Sequence, residues 1–139
     1  MSFGEKIAPF MGRVLISSLF LLAGVHKLQH WDQTAQYMAG HGLSMVGPLL
    51  AASVALEIGA GFGLLIGFHT RVMSLMLFVF TLIVNFTLHD FWALTGAAAA
   101  SAPAEMQLFA KNVAVAGGLL VMVGLGGGAW SYDQFRGGS

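Results

Sequence analysis

Four apolar runs, each long enough to cross a bilayer as a helix, constrain this chain more than any other feature. A hydrocarbon core of about 30 Å takes roughly 20 helical residues. The runs near residues 8–26, 46–67, 71–90 and 104–125 meet that length. Hydrophobic residues make up 57% of the chain and charged ones 9%, against about 25% charged in an ordinary soluble domain. A soluble fold of this composition would expose large apolar patches, whereas a bilayer solvates them. The expected fold is an all-α membrane protein, a four-transmembrane-helix bundle forming one domain over residues 1–136, in contact with the lipid bilayer.

Six basic and six acidic residues balance to zero net charge, which leaves no nucleic-acid footprint and no polybasic lipid-binding tail. The chain has no cysteine, so disulfides, thiol relays and cysteine-ligated iron–sulfur centres are excluded. Any redox chemistry must use a bound carrier or another subunit. The first run lacks a small-residue cleavage site and is interrupted by Arg13, which marks a retained helix rather than a signal peptide. Residues 137–139, Gly-Gly-Ser, have the composition of a cloning scar and are set aside.

Lysines and arginines near helix ends set orientation. With the N-terminus inside, Lys6, Arg13, Arg71 and Arg136 fall on the cytoplasmic side, with Lys27 and Lys111 opposite. Both termini are then cytoplasmic, as expected for a multi-pass protein of a bacterial inner membrane. Pro9 is the expected start of the first helix, and Gly126-Gly127-Gly128 the stop of the fourth. Segment 27–45 is expected to lie along the outer leaflet, with Asp32 capping a short helix that ends at Gly40 or Gly42. Trp31 and Trp92 belong to an outer aromatic belt, Trp130 and Tyr132 to an inner one.

A short internal repeat is visible. Arg13-Val14 opens the first helix as Arg71-Val72 opens the third, an offset of 58. Gly63-Leu64-Leu65 in the second resembles Gly118-Leu119-Leu120 in the fourth, an offset of 55. The pattern suggests a duplicated helical hairpin.

At 100° per residue, Arg13, Ser17, Phe20, Gly24 and Lys27 share one face of the first helix. Glu57 shares one with Ser53, Ala60 and Gly61; Arg71, Ser74, Phe78, Asn85 and His89 share another; Lys111 shares one with Ala114 and Gly118. Small residues let helices approach and ionisable ones avoid lipid, so the four stripes should face inward. Glu57 would then lie deep in the membrane, about 16 Å along its helix. An unpaired carboxylate there costs several kcal/mol, and its expected partners are Lys111 and Arg13. Such a pair can serve only to fix helix register. The sharper reading is a polar pocket of Arg13, Glu57, Asn85, Lys111 and Asn112, with Lys27, Arg71 and His89 around it.

His26 and His30 have the i, i+4 spacing of two metal ligands, with His41 or His89 as a third. No third ligand is fixed by spacing, so no metal is expected. Walker, G-x-S-x-G, H-E-x-x-H and dinucleotide motifs do not occur. Gly59, Gly63 and Gly67 form small-xxx-small steps that suit helix packing within the chain or a homo-oligomer interface.

The run from Arg13 through Ala23-Gly24-x-x-Lys27-Leu28 resembles the first helix of the DoxX family of small bacterial membrane proteins. Leu56-Glu57 with Gly67-x-x-x-Arg71 is similar to its second helix and following turn. Phe109-x-Lys111-Asn112 with Gly117-Gly118-Leu119-Leu120 is similar to its fourth, and Ser131-x-Asp133 to its tail. The resemblance implies a four-helix membrane protein associated with respiratory or redox-stress functions. Members are described as subunits of thiosulfate:quinone oxidoreductase or membrane partners of redox enzymes, and distant relatives as membrane chaperones. The expected function is a membrane subunit of a quinone-linked oxidoreductase system, with an intramembrane polar pocket for a quinone or small apolar molecule. The alternatives are a non-catalytic scaffold or assembly factor, and a carrier of protons or a small metabolite.

Overall fold

Helix α1 (Phe3–Gln29) begins earlier than Pro9 because Ser2 and Glu5 form a capping box. Ser2 Oγ accepts from the Glu5 N–H at 3.2 Å, and Glu5 Oε2 accepts from the Ser2 N–H at 2.7 Å. Pro9 therefore lies inside the helix, not at its start. The computed structural model describes residues 1–137; Gly138 and Ser139 of the terminal Gly-Gly-Ser lie outside the described residues. The remaining helices are α2 (Trp31–Gly40), α3 (Val46–Ile66), α4 (Thr70–Leu88), α5 (Ala102–Leu125) and α6 (Tyr132–Phe135), with 3₁₀ turns at Phe91–Ala93 and Gly96–Ser101. The expected helix start at Asp32 moves by two residues: His30 is the N-cap of α2, and Asp32 sits in its first turn.

Helices α1, α3, α4 and α5 are the four transmembrane helices. Their outer faces carry Leu15, Leu22, Phe62, Val72, Ile83 and Val121, all exposed as a lipid-facing surface requires. They pack as two antiparallel hairpins, α1 on α3 and α4 on α5, joined along the α3–α4 seam; α1 and α5 barely touch. One end of the bundle holds the α3–α4 turn and both terminal segments, since Phe3 and Trp130 are in ring contact at 5.8 Å. This is the terminal end; the other, holding α2 and the 3₁₀ turns, is the loop end.

Close approach of α1 to α3 depends on glycine. A Cβ on Gly24 would stand 2.6 Å from Ile58 Cγ1, and one on Gly61 3.3 Å from Leu21 Cγ. The core is a layer of Phe20, Ala60, Leu64, Leu77 and Leu119. A second cluster, Met38, Leu50 and Val54, seats α2 on the loop end of α3.

The terminal end is held by charged side chains on backbone termini. Arg13, 2% exposed, donates to Leu65 O of α3, to Gly127 O at 2.6 Å and to Trp130 O at 2.8 Å. Arg71 donates to Val123 O at 3.2 Å and to Gly124 O. Each guanidinium satisfies carbonyls that a helix C-terminus leaves without partners, and each meets the negative end of the helix dipole. Asp133 does the converse for α4, accepting the His69 and Thr70 N–H groups at 2.7 Å each. That grip also holds His69 in the left-handed region at φ 45°, which costs a non-glycine residue about 1–2 kcal/mol.

The inward stripes of α1, α3 and α4 lie where expected: Ser17, Phe20, Gly24, Glu57, Ala60, Gly61, Ser74 and Asn85 are buried. The stripe assigned to α5 is turned. Lys111 and Ala114 are exposed, while Ala116 and Leu119 are buried and Asn112 and Val115 half-buried. The three spaced glycines of α3 have three different roles. Gly63 packs against Met73, Gly67 ends the helix in the left-handed region at φ 76°, and Gly59 faces outward with open space around it.

Candidate functional site

The buried acid of α3 has a different partner from either expected one. Glu57 Oε1 pairs with Lys27 Nζ of α1, not with Lys111 or Arg13. Gly24 is the reason: with no side chain there, α1 lies against the Glu57 Cβ, and Lys27, one turn further on, folds inward onto the carboxylate. The Glu57 side chain is 3% exposed and that of Lys27 25%. The ammonium also lies 5.7 Å from the Phe80 ring centroid, a cation–π contact that supplies part of the solvation lost on burial.

This pair borders a cavity of about 160 Å³ in the loop-end half of the bundle. Lys27, Glu57, Thr81, His89, Lys111 and Asn112 provide its polar lining, and Phe20 and Phe80 its aromatic walls. The volume compares with the roughly 150 Å³ that holds a single benzene-sized ring. Lys111 is an exposed cation on that lining and, among the described residues, does not make the ion pair expected for it.

Asn85 and Asn112 form an amide pair behind the cavity. Asn112 Nδ2 donates to Asn85 Oδ1 at 3.1 Å, and Asn85 Nδ2 donates to Phe109 O at 3.0 Å. Shifting Lys27 by the 58-residue offset lands on Asn85, and shifting Glu57 by the 55-residue offset lands on Asn112. Each hairpin thus bridges its two helices at the same level, one with an ion pair and the other with neutral amides.

The expected pocket is therefore divided. Glu57, Lys111 and Asn112 line one cavity with Lys27 and His89, and Asn85 supports it from behind. Arg13 and Arg71 work at the terminal end; Arg13 lies 14 residues before Lys27 on α1, about 21 Å along the axis.

A polar cluster at the loop end was not visible in the sequence. His89 Nδ1 lies 2.8 Å from Glu105 Oε2, and the Tyr37 hydroxyl donates to Leu88 O at 3.1 Å and to Glu105 Oε1 at 3.4 Å. These contacts tie α2 to the junction of α4 and α5. Burial, then the charge and hydrogen bond of Glu105, then the charge of Asp90, push the Tyr37 phenol up to about 12. Glu105 follows Pro103 in the first turn of α5, a favourable place for an acid, and that was its only sequence signal.

His26 and His30 stack with centroids 4.3 Å apart, and His30 Nδ1 meets the His26 carbonyl at 3.1 Å. Their proposed third partners are engaged elsewhere, His41 with Tyr37 O and His89 with Glu105. Among the described residues no three His, Cys, Asp or Glu side chains cluster as a metal site would require.

Fold and site together define a small polytopic membrane protein of two helical hairpins, with a buried ion pair beside a ring-sized cavity. The chain belongs to the DoxX family, whose model matches residues 8–90. The SURF4 family model matches residues 52–137. The chain is similar to inner membrane protein YphA of Escherichia coli (strain K12), at 34% identity covering 94% of this chain and 91% of the relative. It is also similar to inner membrane protein YqjF of the same organism, at 32% identity covering 94% and 92%. An uncharacterized Caenorhabditis elegans protein, T02E1.7, is 32% identical over 51% of this chain and 25% of its own length. No solved structure matches the chain at a significant level.

Proposed function

We propose that the chain is an inner-membrane subunit of a quinone-linked redox system, and that the Lys27–Glu57 cavity takes the ring of a quinone or a similar small apolar molecule. The observation that carries this reading is a ring-sized space with aromatic walls, bordered by a buried acid and a cation that makes no ion pair among the described residues. Lys111 and Asn112 would donate hydrogen bonds to a ring carbonyl oxygen, and Phe20 and Phe80 would flank the ring. Glu57, with Lys27 beside it, is the group able to take up or release a proton at the cavity. The electrons would come from a partner redox enzyme or another bound carrier, since a chain with no cysteine has no thiol relay or cysteine-ligated cluster of its own. The two E. coli relatives named as inner membrane proteins support the location. Lys6, Arg13, Arg71 and Arg136 favour a cytoplasmic terminal end. Saturable quinone binding by purified protein, weakened by Glu57→Gln, is the expected result; no saturable binding, or binding indifferent to Glu57→Gln, overturns the proposal.

A scaffold reading has its own supporting observation. Lys27–Glu57 and Asn85–Asn112 each bridge the two helices of one hairpin at equivalent positions, as two purely architectural staples would. It predicts that a folded Lys27→Met, Glu57→Gln double variant keeps full biological activity, whereas the cavity reading predicts its loss. A carrier reading has less support, because the layer of Phe20, Leu64, Leu77 and Leu119 lies between the cavity and the terminal end.

A further inference from the structure

The weak contact between α1 and α5 leaves a crevice of about 400 Å³ at the terminal end, lined by Ala8, Gly12 and Ile16 on one side and Val121, Met122 and Leu125 on the other. Its wall on α1 runs from Glu5 to Ile16, about 16 Å of helix. That is close to half the hydrocarbon thickness of about 30 Å, the depth of one leaflet. Gly12 keeps the crevice open: a Cβ there would meet nothing within 4 Å.

The crevice continues into a polar pocket. Met1, Leu125, Gly126 and Gly128 line both, and the second space, about 320 Å³, is bordered by Arg71, Ser131 and Asp133. Arg71 is its cation. Only Nη1 carries the bonds to Val123 O and Gly124 O, and Nε is buried with no hydrogen-bond partner among the described residues. Gly126, at a positive φ of 83°, lies against this guanidinium: a Cβ there would be in ordinary contact, 3.5 Å from Nε and 3.6 Å from Nη2. Two acids border the site and keep their charge while bound to backbone: both Asp133 oxygens hold the α4 N-terminus, and Glu5 holds the Ser2 N–H. A guanidinium with spare donors therefore stands at the head of an apolar slot one leaflet deep.

We propose that the crevice between α1 and α5 is a binding site for an anionic phospholipid, with an acyl chain along Gly12 and Val121 and the phosphate against Arg71. The Arg71 guanidinium selects the head group, because Arg donates charge-assisted hydrogen bonds to phosphate. The one-leaflet depth selects a lipid over a free anion. Basic pockets between transmembrane helices hold anionic head groups in the same way.

The test uses the purified full chain in micelles, titrated with dioleoyl phosphatidylglycerol or dioleoyl phosphatidylcholine and read by native mass spectrometry. The phosphatidylglycerol is expected to bind about fivefold more tightly, the factor one basic side chain contributes at an anionic membrane surface. Arg71→Gln should erase that preference. Gly12→Leu, whose Cβ would meet nothing within 4 Å and whose side chain would occupy the crevice, should weaken both lipids while leaving helicity intact. Equal binding of the two lipids by the parent protein overturns the proposal. So does unchanged phosphatidylglycerol binding in folded Gly12→Leu, or displacement of the lipid by millimolar inorganic phosphate.

Discussion

Replacing Lys27 by Met removes the partner of a carboxylate that is 3% exposed and has no other hydrogen-bond donor among the described residues. Breaking a buried pair from one side costs about 3–5 kcal/mol, because the remaining charge is left without solvation. With Lys27 a quarter exposed, the lower end, about 3 kcal/mol, applies here. Glu57→Gln is gentler, at about 1 kcal/mol, because the long lysine can turn toward the open side of the cavity. The double variant Lys27→Met, Glu57→Gln leaves no charge to solvate and is expected within about 1 kcal/mol of the parent. The two single losses therefore do not add, and the coupling is about 3–4 kcal/mol. Unfolding of the four proteins in mixed micelles, followed by far-ultraviolet circular dichroism across a denaturing-detergent titration, measures the cycle. Additive single effects, within about 0.5 kcal/mol, would show that the contact contributes nothing specific and refute the account of the pair.

Three further outcomes follow from the same geometry. Burial opposes the charge of Asp133, but hydrogen bonds from Thr70 and His69 outweigh it and hold this carboxyl below the usual 3.8. Its contribution to stability is therefore present above pH 3.8 and is lost as pH falls through the lower folded value; Asp133→Asn should remove that acid-side dependence in an unfolding titration. Tyr37, pushed up to about 12 from 10.0, favours the folded state below pH 10.0 and loses that contribution as pH rises toward 12. A lower amide protection factor in α2 at high pH, relative to the base-catalysed exchange of an unprotected chain and reproduced by Tyr37→Phe at neutral pH, is the expected signature, and protection unaltered by Tyr37→Phe would contradict it. Gly24→Ala, whose methyl would stand 2.6 Å from Ile58 Cγ1, is expected to cost about 1–3 kcal/mol. Gly59→Ala, with nothing within 4 Å, should be neutral or slightly stabilising, and equal effects at the two sites would contradict the packing account.

The apolar runs made the four helices legible, and the 100° spacing of Ser17, Phe20, Gly24, Glu57 and Asn85 made most of the buried faces legible. Two other features were hidden for identifiable reasons. The first is the partner of Glu57, because helical spacing says which face a residue occupies but not which helix lies against it. Gly24 sets that neighbour, and the long Lys27 side chain then reaches inward from a position that reads as interfacial. The second is the function of the two arginines, which bond to backbone carbonyls, groups that carry no sequence signature. The early start of α1 was readable after all, in the Ser2-x-x-Glu5 box, but Pro9 is the more conspicuous start signal. On α5, Lys111 and Asn112 are adjacent, so a 100° difference separates the exposed cation from the residue that faces inward.

The central claim is that the cavity beside Lys27 and Glu57 binds a quinone-like ring, and equilibrium binding of a short-chain quinone to the purified protein tests it most directly. The account predicts one saturable site, weakened at least about tenfold by Glu57→Gln, a loss of roughly 1.4 kcal/mol. Saturable binding that survives unchanged in Glu57→Gln, or no saturable binding to the folded parent, would contradict it.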